Sequence, residues 1–186
     1  MSNHNNLMLG IGYEYFHTPI HCRKSVRDFV YTWGVDNYDI IIKYVQRLKE
    51  YGSTSISQVY AAYERYDFEQ YYMMFKQLIL SKKIVIVCGD RVFANIEHNI
   101  LDGANVQYIY GPTKDAYGEL EQLRQEICKR DKDELLLFAL GPAGKVLAYE
   151  MFLKGYRVLD VGHIFKDYDF YMRGLVVTED FFAPDV

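Results

Sequence analysis

Glu134-Leu135-Leu136-Leu137-Phe138-Ala139-Leu140-Gly141-Pro142-Ala143-Gly144-Lys145 and its continuation to Gly155-Tyr156-Arg157-Val158-Leu159-Asp160-Val161-Gly162-His163 decide the fold of this chain. The apolar run Leu135 to Leu140 is too short to cross a bilayer and is flanked by turn residues, which is the pattern of a strand buried on both faces. It leads straight into Gly141-Pro142-Ala143-Gly144. Proline is at home at the first position of a helix, where its missing N–H costs nothing, and the glycines let another group approach the backbone. The unpartnered N–H groups of a helix start make an anion site. The spacing predicts a helix to Lys154, a stop at Gly155 and a second buried strand, Tyr156 to Val161. That strand ends in Asp160, Gly162 and His163, with Asp167 and Asp169 just beyond. A phosphate-type turn and a carboxylate–imidazole cluster therefore reach one sheet edge, where ligands of open α/β sheets bind.

Working outward, Ile84 to Cys88 and Asn105 to Tyr110 read as two further strands, separated by an expected helix from about Asn95 to Leu101. Asp115 is placed to cap a helix whose Tyr117, Leu120, Leu123 and Ile127 share one face. Four strands alternating with helices imply an α/β fold: a Rossmann-like, doubly wound, mostly parallel sheet with right-handed crossovers. The N-terminal part reads as a helical, aromatic-rich segment. Ile41, Val45 and Leu48 follow helical spacing up to Gly52, Ser55 with Gln58 forms a capping box for a helix through Tyr66, and Asp67 with Gln70 forms another for a helix through about Leu80. Leu7 to Tyr15 reads as a short interrupted strand. His17 and His21 stand four apart, but Pro19 between them argues against a helical metal pair and for ordinary loop histidines. The tyrosines at 60, 63, 66, 71 and 72 are read first as packing groups, with sugar stacking as the alternative. One domain results: residues 1–80 mainly helical, 81–174 the Rossmann-like core, 175–186 a tail.

Composition bounds the function. The 186 residues, half of them hydrophobic, suffice for one well-buried domain. A net charge of −4 and the absence of a long basic run argue against a nucleic-acid partner. Three cysteines without C-x-x-C spacing suggest reduced thiols, and no apolar window is long enough for a transmembrane segment. The polar start Ser2 to Asn6 lacks a signal-peptide charge pattern, so the expected location is cytoplasmic.

Each strand finishes in glycine or polar residues: Gly89-Asp90-Arg91, Gly111-Pro112-Thr113-Lys114-Asp115, Gly141 to Lys145, and Asp160 to His163. Arg91, Lys114, Lys145 and the helix start at Pro142 together suit a polyanionic ligand. The nucleotide-binding set is thus Gly89, Asp90, Arg91, Pro112, Thr113, Lys114, Gly141, Pro142, Gly144 and Lys145. The strict phosphate signatures are absent: no G-x-G-x-x-G follows a strand, and Val146 stands where a P-loop needs Ser or Thr. For Asp160 and His163 the plain alternative is that they cap a turn.

Three segments carry a family resemblance. Gly111-Pro112-Thr113-Lys114-Asp115-Ala116-Tyr117, Ala139 to Tyr149, and Asp160-Val161-Gly162-His163-Ile164 followed by Asp167-Tyr168-Asp169-Phe170 are similar in order and spacing to the GT-D-type glycosyltransferases of bacterial surface-glycan and glycoprotein assembly. The match covers about the C-terminal half. The resemblance implies a nucleotide-sugar donor, typically a UDP-sugar, a glycan or glycoprotein acceptor and a divalent metal, Mn or Mg. It marks Asp160, His163, Asp167 and Asp169 as catalytic candidates, with Asp167 and Asp169 as candidate metal ligands. Phe165 stands where the family carries the first acid of its D-x-E, and phenylalanine offers a cation no oxygen. Either Asp160, Asp167 or Asp169 holds the metal in a shifted arrangement, or the protein works without it. The family's N-terminal R-F-G-D-G-E has its nearest counterpart in Leu9 to Glu14, with Ile11 at the Asp. Two functions follow: a glycosyltransferase, or a catalytically silent nucleotide-sugar-binding or scaffolding subunit that engages a partner glycosyltransferase or a second copy of itself.

Overall fold

The computed structural model describes residues 6–178 and Phe181. Its centre is a four-stranded sheet built from β3 (Lys83–Gly89), β4 (Asn105–Gly111), β5 (Leu135–Ala139) and β6 (Arg157–Asp160), which follow the two-residue strands β1 (Gly10–Ile11) and β2 (Gly52–Ser53). The order is β4-β3-β5-β6 and every pairing is parallel. Because strand side chains alternate, the apolar runs split between two faces. Ile84, Ile86, Cys88, Leu137 and Ala139 pack under α4 (Phe68–Leu80) and α7 (Ile164–Arg173), through Tyr72, Ile79, Phe165 and Tyr168. Val85, Val87, Leu136 and Phe138 pack under α5 (Leu120–Cys128) and α6 (Gly141–Leu153), through Leu123, Ile127, Leu147 and Met151. Fully burying each such side chain contributes about 1.5–3 kcal/mol, so two filled faces dominate the stability of the sheet.

The four core strands and the helix after β5 agree with the sequence reading. Pro142 lies in the first helical positions of α6, and Gly155 follows it with φ +86°. Between β3 and β4 the expected helix over Asn95 to Leu101 does not form. Asp169 accepts the N–H groups of Glu97 and His98 at 3.0 and 2.8 Å, and Asn99 accepts that of Leu101. Asn99 thereby holds the Leu101 N–H that a helix would give to the Glu97 carbonyl, while Ile100 and Leu101 bury against the sheet. Asp115 is left-handed, with φ 55°, and makes no side-chain cap; a 3-10 turn, Ala116–Glu119, precedes α5, and Tyr117 faces solvent.

The N-terminal half departs further from expectation. Before α4 its helices are α1 (Lys24–Phe29), which runs into a π-helical turn Val30–Gly34, then α2 (Tyr38–Tyr44), and the four-residue α3 (Val59–Ala62). The predicted helix to Gly52 ends at Tyr44, since Val45 turns extended and Leu48 is fully exposed. The β-branched run Ile40 to Ile42 supplies little helix propensity and no residue of α2 is buried. Ser55 caps nothing: Ser53 accepts its N–H, and its hydroxyl turns inward to Glu14 at 2.9 Å. Asp67 does cap α4, accepting the Gln70 N–H at 3.0 Å. The tyrosines pack: Tyr60, Tyr72, Tyr168 and Tyr171 meet at ring separations of 5.0 to 5.7 Å. The cysteines are free thiols, with Cys22 and Cys88 buried. Of the tail, residues 175–178 have no regular secondary structure, and most of the rest lies outside the described residues. No helix among the described residues is long and apolar enough to cross a membrane.

Candidate active site

β3 continues along the α4/α7 face, whereas its neighbour β5 continues into α6 on the opposite face. That divergence opens the crevice in which doubly wound sheets take their ligands. One corner of it is built by the ends of β3 and β4. The Thr113 hydroxyl donates to Asp90 Oδ1 at 2.6 Å and accepts the Arg91 N–H at 3.3 Å, while the Asp90 N–H donates to Gly111 O. A Cβ on Gly89 would stand 3.1 Å from Thr113 Oγ1 and 3.2 Å from its Cα, so glycine is what lets the two turns meet. The Thr113 hydroxyl is the main reason the Asp90 carboxyl is held below its usual range. Arg91 and Lys114 extend from this corner into solvent.

The opposite wall is the start of α6. Gly141 takes φ +54° to turn the chain, and the side chain of Leu140 at the N-cap accepts no hydrogen bond. First-turn N–H groups lack helical partners at any helix start. Here Gly141 and Pro142 are exposed, so that end is open to an anion. Lys145, one turn on, places Nζ 3.0 Å from Asp160 Oδ2. Asp160 Oδ1 accepts the Gly162 N–H at 3.1 Å, so this residue both shapes its turn and presents a charge. His163, three residues after Asp160, sits exposed at the N-cap of α7.

Three residues of the sequence-derived set point elsewhere. Gly144 faces the sheet: a Cβ there would lie 3.3 Å from Leu140 Cβ and 3.5 Å from Phe138 Cβ. Its lack of a side chain serves helix–strand packing, and Gly144→Val should destabilise the fold by about 1–3 kcal/mol through overpacking. Urea unfolding and calorimetry on this variant decide the point: a stable protein that no longer binds nucleotide would restore a phosphate role. Asp167 is fully buried and accepts the N–H groups of Tyr60 and Ala61 at 3.0 and 2.8 Å and the Tyr72 hydroxyl at 2.7 Å. Asp169, 1% exposed, takes the two N–H groups of residues 97 and 98 and pairs with Arg173 at 3.2 Å. Both carboxylates join parts of the fold behind the crevice.

A divalent cation therefore finds little to hold it. Phe165 is buried against Phe93, with ring centroids 4.9 Å apart. Asp167 and Asp169 have their oxygens engaged, and no group of three His, Cys, Asp or Glu among the described residues is arranged to bind a metal. A hard cation wants several oxygens at once. The residues present do not fit a metal cage.

Sequence reading missed a neighbour of the cluster. A Cβ on Gly162, which has φ +45°, would come 2.8 Å from Ser57 Oγ. The 3-10 turn Thr54–Ser57 is thus laid against the end of β6, anchored behind by buried Glu14, which accepts the hydroxyls of Ser55 and Tyr63 at 2.9 and 2.8 Å. No local periodicity announces a contact between residues 105 positions apart.

A Rossmann-like parallel sheet with basic, glycine-bearing turns on both sides of its switch point defines a class of α/β protein that binds its ligand at the strand ends. A family model described as the glycosyltransferase GT-D fold matches residues 1–180, and the chain belongs to that family. The match extends well beyond the C-terminal half, so the divergent N-terminal segment is part of the family fold. Curated relatives include a protein described as a probable glycosyl transferase of Streptococcus gordonii, 36% identical over 126 residues, and the glycosyltransferase GlyD of Streptococcus pneumoniae serotype 4, 33% identical over 126 residues. Each alignment covers 67% of this chain but only 18% and 16% of the relative, so the chain spans less than a fifth of those proteins. Among solved structures, one described as a new glycosyltransferase from Streptococcus sanguinis superposes with a TM-score of 0.87 at 28% identity, covering 100% of this chain and 73% of that one. Another, a domain described as having a distinct glycosyltransferase fold, gives a TM-score of 0.83 at 25% identity over 94% of this chain and 63% of its own.

Proposed function

We propose that this chain is a glycosyltransferase that moves a sugar from a nucleotide-sugar donor, a UDP-sugar in the first instance, to a glycan or glycoprotein acceptor. The observation that carries the reading is the Lys145–Asp160 pair, 3.0 Å apart, at the mouth of an uncapped helix start. The donor diphosphate lies between the α6 N-terminus and the corner made by Asp90, Arg91, Thr113 and Lys114. The bond from the anomeric carbon to the phosphate oxygen breaks, and its electron pair leaves on the diphosphate. Arg91, Lys145 and the helix N–H groups stabilise that charge. The acceptor hydroxyl oxygen forms the new bond to the anomeric carbon and gives its proton to Asp160, with His163 alongside. Asp167 and Asp169 support this site from behind as fold-joining groups.

The occupied carboxylates and Phe165 also favour a second reading, a nucleotide-sugar-binding subunit without turnover that serves a partner glycosyltransferase or a second copy. Donor hydrolysis separates the two. A glycosyltransferase releases sugar and nucleoside diphosphate from its cognate UDP-sugar above the blank rate, with manganese or without it. Donor binding with no turnover under both conditions would leave the silent subunit. Manganese binding without nucleotide is expected to be weak by calorimetry, and tight binding by the protein alone would contradict the donor set described above.

A further inference from the structure

A cavity of about 360 Å³ opens in the N-terminal half, away from the strand-end turns, between the Tyr13 to His17 segment and the stretch from Val45 to Ser53. This is within the size range of small-ligand sites. Its walls are aromatic: Tyr13 and His17 lie 3.7 Å apart with a 5° tilt, forming one slab, and Phe16 and Tyr51 line it as well. Its charge is of one sign. Arg47 and Lys49 line it and no carboxylate does. Arg47 makes no ion pair among the described residues, and the Lys49 ammonium rests over the Tyr51 ring at 5.8 Å. Aromatic faces cover the C–H faces of a sugar ring, and uncompensated cations attract an anion.

The cavity is tied to the proposed active site by continuous chain. Its lining residue Ser53 caps the 3-10 turn that ends at Ser57, the residue set against Gly162 beside Asp160. At a 3-10 rise the four residues span about 8 Å, within reach of an extended glycan.

We propose that this cavity is the acceptor subsite, and that the acceptor it takes is a sugar carrying an anionic group, either a phosphate or a carboxylate. The proposal rests on the reading of the chain as a sugar transferase. The ring stacks on the Tyr13–His17 slab, the anion meets Arg47 and Lys49, and the glycan runs along the Thr54–Ser57 turn toward Asp160.

The test is calorimetric titration of the whole chain, held in excess UDP so that the strand-end site is filled, with glucose 1-phosphate, glucuronate and glucose. Arg47→Gln/Lys49→Gln and Tyr13→Ala are titrated in parallel, and UDP affinity is measured on all three proteins. At least one anionic sugar should bind the wild type tenfold or more tightly than glucose. The double variant should abolish that preference, and Tyr13→Ala should weaken the same ligand. Binding of glucose 1-phosphate alone assigns a phosphate, of glucuronate alone a carboxylate. Equal binding to wild type and double variant, or no binding of either anionic sugar, overturns the proposal. So does a parallel loss of UDP affinity, which would make the cavity part of the nucleotide site. Failure of the wild type to bind UDP while it still binds anionic sugar would count against the donor reading instead.

Discussion

Asp167→Ala should cost the protein about 3 kcal/mol, because it strands two buried donors and a half-buried one, each worth about 1–3 kcal/mol when left unmade. Those donors are the N–H groups of Tyr60 and Ala61 and the hydroxyl of Tyr72. A domain with a total stability of about 5–15 kcal/mol would be left marginal. Urea unfolding measures this, and a loss under about 1 kcal/mol would refute the clamp. The same carboxylate predicts a pH dependence. Burial raises its pKa from 3.8 to about 6, outweighing the lowering by its hydrogen bonds. A folded pKa above the unfolded one means the native state holds the proton more tightly. The contribution is therefore fully present below about pH 4 and is lost as pH rises through about 6, a change of about 3 kcal/mol. Asp167→Asn, which cannot titrate, should lack that fall, so its deficit relative to wild type should be largest near pH 4 and shrink toward pH 7. A deficit that grows with pH would contradict the sign.

Asp160→Asn should act on chemistry and spare the fold. Asparagine keeps an oxygen for the Gly162 N–H but cannot take the acceptor proton, and proton transfer of this kind contributes about 10²- to 10⁴-fold in rate. The lost Lys145 pair is too exposed to matter to stability by more than about 1 kcal/mol. The expected result is a transfer rate reduced by about two to four orders of magnitude with a melting temperature close to wild type. Activity within tenfold of wild type would remove Asp160 as the base.

The sheet was legible because its signals are local and redundant. Leu135 to Leu140, Gly141-Pro142 and Gly155 each punctuate a strand or helix by their own chemistry, and they agree with one another. The corner of Asp90, Arg91 and Thr113 was legible as a set of residue types, though the Thr113–Asp90 bond that organises it joins two strand ends 23 residues apart. Apart from α2, which stops at Tyr44 because nothing buries it, the departures lie where distant side chains hold the chain. Asp169 pins the N–H groups of Glu97 and His98 in an irregular stretch, Asp167 takes those of Tyr60 and Ala61 at the start of a four-residue helix, and Glu14 draws inward the Ser55 hydroxyl that the expected capping box needs. Asp167 and Asp169 stand among the catalytic candidates by the family resemblance, since a buried acid that holds backbone N–H groups and one that holds a metal look alike until their donors are known. Gly144 misled in the same way: glycine admits a ligand or a neighbouring strand, and only the 3.3 Å approach to Leu140 Cβ distinguishes them.

The proposed donor site requires the strand-end crevice to bind a nucleoside diphosphate, which thermal denaturation with UDP, GDP and CDP measures. At a free concentration 100 times its dissociation constant, the cognate nucleotide should add about 2.7 kcal/mol to the native state and raise Tm by about 5–10 °C. The Arg91→Gln/Lys145→Gln variant should lose most of that shift. No shift with any of the three at millimolar concentration, or a shift undiminished in the double variant, would remove the crevice as the nucleotide site.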